Sequence, residues 1–111
     1  MALAVVFGAF GAHIVEGMLT PQRFEVYQTA VQYHFYHALG LLIVGTVSYH
    51  INNKWMKWSG YSLIAGILIF SGSLYLLTLL DIGWLGAITP IGGVAFILGW
   101  IFLFIAVLKK E

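Results

Sequence analysis

Charge is the scarcest property of this chain, which has four acidic and five basic residues among 111. None of these lies in residues 1–15, 26–53, 58–80 or 82–108, so four long stretches carry no charge. A charge at the centre of a bilayer costs about 3 kcal/mol even on lenient insertion scales, so charges concentrate where water is. The pattern therefore predicts a membrane protein with four apolar spans.

Cysteine is absent, which excludes disulfides, thiolate nucleophiles and thiolate metal sites. The net charge is only +1 and no basic patch is available to neutralise phosphates, so we expect no nucleic-acid partner. With 61% hydrophobic residues, so short a chain has too little polar surface to cover four core helices in water. We therefore expect its partners to be membrane lipids, with a homo-oligomer or other membrane proteins left open.

Proline occurs only twice, and each proline follows a threonine, as Thr20-Pro21 and Thr89-Pro90. Thr20-Pro21 is typical of an N-cap followed by proline at the first helical position, and Thr89-Pro90 predicts the start of another helix. The segment after Pro21 starts amphipathic and becomes apolar after Tyr36, which predicts an interfacial helix over about 21–32 that enters the bilayer near Tyr33. The predicted spans cover residues about 2–18, 33–51, 59–80 and 91–108 of a single domain.

The first span is short, because a helix from Ala2 to Val15 is only about 21 Å long against a hydrocarbon core of about 30 Å. Two explanations stay open. Either the natural start lies upstream, or the helix continues to Met18 with Glu16 at the interface.

Orientation follows from the basic residues, because loops rich in lysine and arginine stay in the cytoplasm. Lys54 and Lys57 lie in the second loop, Lys109 and Lys110 follow the last span, and only Arg23 lies on the other side. The expected fold is thus an all-α four-helix bundle integral to a membrane, multi-pass, with both termini cytoplasmic.

Glycine is abundant, with 13 residues, and small residues recur at helical spacing in Ala4-Gly8-Ala12, Ser62-Gly66 and Gly92-Ala95-Gly99. Such stripes let helix backbones approach closely within a membrane. Contacts within one bundle and contacts between copies are both compatible with them. We predict helix packing at five glycines in particular, namely Gly8, Gly11, Gly72, Gly92 and Gly99.

Polar residues within the spans gather near the outer leaflet of this topology. At about 100° per residue, Tyr27, Ala30, His34, His37 and Leu41 share one face of a helix, so both imidazoles can point into the bundle. Intramembrane ionisable groups are costly and are therefore functional candidates. The predicted polar cluster consists of His13, His34, His37, Ser71, Ser73 and Tyr75.

A structural role for the polar cluster competes with a ligand-binding one. Zinc needs three or four ligands, which His13, His34 and His37 with Glu16 or Glu25 supply only if the first two spans meet closely. Ligation of haem by two histidines is even less specific, because haem-binding helices carry no further sequence motif. We expect hydrogen-bonded packing groups, with no metal and no cofactor.

Catalysis has no support from motifs. No serine, histidine and acid occur at motif spacing, and no phosphate-cradling glycine loop follows a strand. We therefore predict no catalytic residues and no enzyme activity.

Four ordered blocks connect the chain to a known family: Gly8–His13, Tyr27–His34 with His37-Ala38-Leu39, Phe70–Tyr75, and Thr89–Gly93. In order and over nearly the whole chain, they resemble the small bacterial membrane proteins of domain of unknown function family 423, which includes eukaryotic transmembrane protein 256. The family pattern has a longer hydrophobic lead before the first block. The resemblance implies a four-span inner-membrane protein, with a membrane-stabilising role in some staphylococcal members and no established enzyme activity.

Three functions follow as hypotheses. The leading one is a non-catalytic structural or accessory role in membrane integrity. The second is a small proton-coupled transporter, although small multidrug exporters use a glutamate embedded in span 1, whereas Glu16 is terminal. The third is a protein that binds lipid, quinone or metal at the outer-leaflet polar cluster.

Overall fold

A computed structural model of the chain describes residues 1–110, except for the side chain of Ala12. Over these residues the fold is helical and contains no strand, which confirms the all-α prediction. Of the three small residues predicted to line one face of the first helix, Ala4 and Gly8 are described, and the side chain of Ala12 lies outside the described part. The α-helices are α1 (Ala2–His13), α2 (Pro21–Val47), α3 (Lys54–Gly66), α4 (Gly72–Leu80) and α5 (Thr89–Leu108).

Short irregular helices connect these elements. A π-helical turn, Ile67–Ser71, joins α3 to α4 into one continuous rod of 27 residues. Two 3₁₀ turns, Val15–Gly17 and Gly83–Ala87, lie in the loops before α2 and before α5. The chain thus forms four helical segments, of which α3 and α4 together make the third.

The starts of the helices follow local sequence. The Thr20 hydroxyl accepts a hydrogen bond from the Arg23 backbone N–H at 3.2 Å, and Pro21 occupies the first turn of α2, as predicted. The Asn53 side chain caps α3 in the same way by accepting from the Met56 N–H at 3.1 Å. Because Asn53 caps α3, that helix begins at Lys54, five residues before the predicted span.

The other helix ends also differ from the span boundaries. The segment 2–18 is not one helix, because α1 stops at His13 and a 3₁₀ turn follows. No break occurs near Tyr33, since α2 continues from Pro21 to Val47 and joins the predicted interfacial helix to the predicted second span.

Polar contacts place the connections at two opposite ends of a molecule 52 Å long. At one end, the Arg23 guanidinium donates to the Leu77 carbonyl at 2.8 Å and pairs with the Asp81 carboxylate at 2.7 Å. At the other end, the Asn53 side-chain amide donates to the Ala106 carbonyl at 3.1 Å. We call these the arginine end and the lysine end, because the lysines of the second loop and of the C-terminus lie at the latter.

The core divides along the long axis into two parts. The part nearer the arginine end needs α1 and contains Val15, Tyr27, Ala30, Leu74 and Tyr75. The part nearer the lysine end has its buried residues on α2, α3 and α5, namely Val44, Met56, Leu63, Phe96 and Ala106. The short helix α1, about 18 Å long, therefore does not reach the lysine end of the bundle.

Two helical segments are long and apolar enough to cross a membrane, namely Lys54–Leu80 and Gly83–Leu108. Ala2–Gly11 is apolar but shorter. The first half of α2 carries several polar side chains, which separates it in composition from the other long segments. Large apolar side chains are exposed along the bundle, as expected where lipid is the solvent.

Candidate polar cluster

His34 and Tyr75 form the centre of the site that the structure assembles from the predicted residues. A hydrogen bond of 2.9 Å joins His34 Nδ1 on α2 to the Tyr75 hydroxyl on α4, and both side chains are buried. Since helices α2 and α4 are antiparallel neighbours, this bond links residues 41 positions apart. The structure thus brings together two of the six residues in the predicted cluster by direct contact.

Helix α1 closes this centre through aromatic stacking. The Phe7 ring stacks on Tyr75 with centroids 4.2 Å apart, and the Tyr27 hydroxyl donates to the Phe7 carbonyl at 2.6 Å. This carbonyl already accepts within α1, so the tyrosine uses its second lone pair. The result is a path of contacts from α1 through α2 to α4, centred on aromatic rings rather than on ionisable groups.

His37 belongs to a different environment although it shares a helix face with His34. Its Nδ1–H donates to the Tyr33 carbonyl at 2.8 Å within α2. Its ring stacks on Phe96 of α5 with centroids 3.5 Å apart and lies 5.7 Å from the Trp100 ring. The two imidazoles therefore contact different helices and do not form one ligand-binding site together.

His13 lies apart from both. It is the exposed last residue of α1, so the expectation that it faces His34 and His37 within a buried cluster is wrong. The physical reason is that α1 ends at this residue, and the 3₁₀ turn that follows buries Val15 in the core instead. Among the residues that the structure describes, no three His, Asp or Glu side chains converge as a metal site would require.

The two serines bond to backbone carbonyls and to the first residue of a neighbouring helix. Ser71 Oγ donates to the Ala30 carbonyl at 2.8 Å and connects the π turn to α2. Ser73 Oγ lies 2.6 Å from Thr89 Oγ1 at the start of α5 and also donates to the Phe70 carbonyl at 3.0 Å. Both serines act as connections between helices, and neither contacts a histidine through a hydrogen bond in the described chain.

Four of the five predicted packing glycines face another helix. A Cβ atom on Gly11 would lie 2.5 Å from Tyr27 Cε1, and one on Gly99 would lie 2.6 Å from Leu63 Cδ2. A Cβ on Gly92 would overlap the Phe70 backbone, while Gly8 has room for one, 3.4 Å from Phe35.

Gly72 is the exception, and its assignment to helix packing is wrong. The nearest atom to a Cβ on Gly72 would be the Ile67 carbonyl oxygen of its own helical segment, at 4.0 Å. The π turn immediately before Gly72 points Ser71 toward α2 and leaves the glycine on an open side. A glycine in an apolar helix therefore does not by itself mark a contact between helices.

Sequence reasoning missed several contacts. Gly40 faces Trp100, with a Cβ to Cη2 distance of 2.8 Å, and Gly66 faces Phe96. The buried Ser59 hydroxyl donates to the Gly99 carbonyl at 2.7 Å and fastens α3 to α5. The Ser62-Gly66 spacing indicated that Gly66 could lie at a helix contact. Nothing in the sequence indicated which aromatic ring would pack against Gly40 or Gly66.

An open apolar groove of about 420 Å³ passes His34. Its wall contains apolar side chains of α2 and α3, and the first residues of α1 close one end. Since Nδ1 is engaged by Tyr75, the Nε2 atom is the remaining polar atom of this imidazole. Besides His34, the lining residues are Met1, Ala2, Leu3, Ala38, Leu41, Leu42, Ile64, Ile67 and Leu68.

These features define a class: an apolar helical protein whose buried polar groups bond mainly to one another and to backbone. A family model described as "Protein of unknown function (DUF423)" matches residues 7–93, and the chain belongs to this family. No solved structure matches the chain significantly.

Curated relatives cover nearly the whole chain. It is similar to the UPF0382 membrane protein SERP0230 of Staphylococcus epidermidis, with 50% identity over 107 residues, 96% of this chain and 87% of the relative. It is also similar to the UPF0382 membrane protein YwdK of Bacillus subtilis, with 48% identity over 108 residues, 96% of this chain and 88% of the relative. The predicted family resemblance is confirmed, and the relatives' names agree with the two apolar helical segments in indicating a membrane protein.

Proposed function

We propose that the protein crosses the bacterial inner membrane four times with both termini in the cytoplasm. The antiparallel order of the four helical segments supports this topology, because it brings the first and third loops to one end and the second loop to the other. Charge supports the direction: Lys54, Lys57, Lys109 and Lys110 belong to the lysine end, whereas Arg23 is the basic side chain of the arginine end.

Its proposed role is non-catalytic: a structural or accessory component that maintains membrane integrity, with lipids as its partners. The observation that carries this proposal is how the candidate residues use their polar atoms. Every buried side-chain nitrogen or oxygen in the described residues has a hydrogen-bond partner. His34 and Tyr75 bond each other, and Ser71 and His37 bond backbone carbonyls. Buried polar side chains whose hydrogen bonds are all made within the protein are typical of a structural role.

A permeability assay in cells tests this role. In a strain that lacks the protein, we expect increased uptake of a membrane-impermeant dye, and expression of the wild-type chain should reverse the increase. His34→Gln should reverse it as well, because an amide can replace the hydrogen bond of the imidazole. Failure of a folded His34→Gln variant would contradict a purely structural role, since glutamine removes titration and ligand strength only.

A second candidate function is binding of a lipid or quinone in the groove beside His34. The specific observation is the combination of apolar walls with one imidazole, since small-molecule sites pair apolar linings with a few polar groups. Native mass spectrometry of gently purified protein should then show a bound lipid-soluble molecule that His34→Leu removes. Leu76→Ala on exposed α4 is a control for general lipid adhesion.

A proton-coupled transporter is the remaining alternative. Glu16 is exposed in the 3₁₀ turn after α1, outside the helical spans. Flux driven by a proton gradient in reconstituted vesicles would favour a transporter and contradict the structural proposal.

A further inference from the structure

The face of α2 that points away from the bundle changes character along its length. In its first half this face is polar and exposed, with Glu25, Gln28 and Gln32. In its second half it is apolar, with Leu39 at 52% and Ile43 at 43% exposure. Residues 25, 28, 32, 39 and 43 follow the alternating three- and four-residue spacing of a helix-pairing seam. We call this face the α2 seam.

Depth in the membrane makes the two glutamines unusual. This step rests on the proposed topology, which sets the lysine end at the inner boundary. From Val47, the last residue of α2, to Gln32 is about 22 Å along the helix, and the hydrocarbon core is about 30 Å thick. Gln32 therefore lies inside the hydrocarbon region, and Gln28, one turn further along α2, lies near its outer boundary.

Neighbouring helices confirm that the surface at this depth is apolar elsewhere. Tyr33 packs on Phe70 with ring centroids 4.7 Å apart, and Gly92 meets the Phe70 backbone, so the first turn of α5 lies level with Gln32. There, Ile91 is 60% exposed. Nearer the arginine end, Leu76 is 48% exposed. The exposed side chains of α4 and α5 near the depth of Gln32 are thus apolar, as expected for contact with lipid.

Neither glutamine side chain forms a hydrogen bond to another described residue. An unpaired amide facing lipid is costly, so intramembrane polar side chains normally face a protein surface or a water-filled cavity. Next to the amides, a depression of about 270 Å³ is lined by Gly8 and Gly11 of α1 and by Gln28, Val31 and Gln32 among others of α2. It leaves room for side chains from outside.

We propose that the α2 seam binds a second copy of this chain in a two-fold symmetric dimer. A carboxamide both donates and accepts, so glutamines related by a two-fold axis can satisfy each other without any other partner. Leu39 and Ile43 continue the contact toward the lysine end, and the depression beside Gly8 receives side chains of the partner. The apolar faces of α1 and α5 have no such self-complementary group and remain toward lipid.

The absence of cysteine allows a clean crosslinking test. Single-cysteine variants Q32C and L39C, in the full chain in native membranes, should crosslink into dimers with a short bis-maleimide. The matched control is I91C, which replaces an exposed residue at the same depth on α5 and should remain monomeric. Equal crosslinking of I91C and Q32C would overturn the proposal, as would a crosslink of Q32C only to a protein of different mass.

A second measurement keeps the proposal testable where cysteine perturbs the seam. Single-molecule photobleaching in liposomes should show that Q28L/Q32L dimerises about tenfold more weakly than the wild type, since several interhelical hydrogen bonds are lost. Q22L, outside the seam, should dimerise like the wild type. If the wild type is monomeric and the thiol of the Q32C variant is protected from an impermeant reagent, the dimer alone is overturned. If the wild type is monomeric and that thiol reacts rapidly, the proposed membrane depth is overturned as well.

Discussion

At the scale of single residues, the histidines differ by their neighbours rather than by their chemistry. His34 reaches across to the Tyr75 hydroxyl, whereas His37 turns back to a carbonyl of its own helix and lies flat against Phe96. The two histidines are three residues apart on α2, so helix geometry alone would place them on the same face. The difference arises because α1 and α4 flank one imidazole and α5 covers the other.

Tyr75→Phe should lower the stability of the folded protein in detergent by about 1 kcal/mol, because the His34 Nδ1 atom loses its partner in a buried position. Thermal unfolding followed by circular dichroism measures the effect. Tyr61→Phe is the matched control, since Tyr61 is 63% exposed and its hydroxyl reaches the surface. Equal stability of both variants would show that the His34–Tyr75 bond contributes nothing.

At the scale of helices, glycines meet large side chains at several interhelical contacts. Gly11 receives Tyr27, Gly40 receives Trp100, Gly66 receives Phe96 and Gly99 receives Leu63. Since no hydrophobic effect drives helices together in lipid, close packing of this kind supplies much of the association energy. A second device holds the helix ends: Arg23 joins the start of α2 to the end of α4.

Gly11→Ala should destabilise the protein by about 1–3 kcal/mol, because the added methyl group overpacks against Tyr27. Gly72→Ala is the control, since its methyl group meets no atom closer than 4.0 Å and alanine is the better helix former. Unfolding midpoints in one detergent compare the two. If Gly72→Ala were the more damaging change, the assignment of α1 to this face of α2 would be wrong.

Arg23→Gln should loosen the arginine end more than Asp81→Asn does. Asp81 is 83% exposed on its side chain, so its ion pair contributes about 0–1 kcal/mol and weakens with salt. The bond from Arg23 to the Leu77 carbonyl serves a helix end whose carbonyls otherwise lack partners. Asparagine also tolerates the left-handed backbone of Asp81, at φ 57°. Hydrogen exchange of residues 77–80 distinguishes the variants, and equal protection in both would contradict the ranking.

At the scale of the whole molecule, the charged residues are concentrated at the two ends of the long axis. The 52 Å bundle has acidic residues and Arg23 at one end and lysines at the other, with no charged side chain between Glu25 and Lys54 or between Lys57 and Asp81. The proposed topology accounts for this arrangement, because charge is costly to bury in lipid and loops rich in lysine and arginine stay in the cytoplasm.

The proposed topology predicts that Asn53→Cys and Gly86→Cys react from opposite sides of the membrane. An impermeant thiol reagent added to intact cells should label the cysteine at position 86 and spare the one at position 53. The cysteine-free wild type controls for background labelling. Labelling of both positions from outside would contradict a single orientation and indicate dual insertion.

The sequence by itself determined the solvent of this protein, its all-helical fold, the start of α2 at Thr20-Pro21 and the family. These properties depend on composition and on contacts within a few residues, which the order of amino acids contains directly. Only the tertiary structure decided that α1 ends at His13, that Gly72 faces open space while Gly40 and Gly66 pack, and that His34 and His37 have separate partners. The physical reason is that a helix face is set by the 3.6-residue repeat, whereas the atoms opposite that face depend on how distant helices pack.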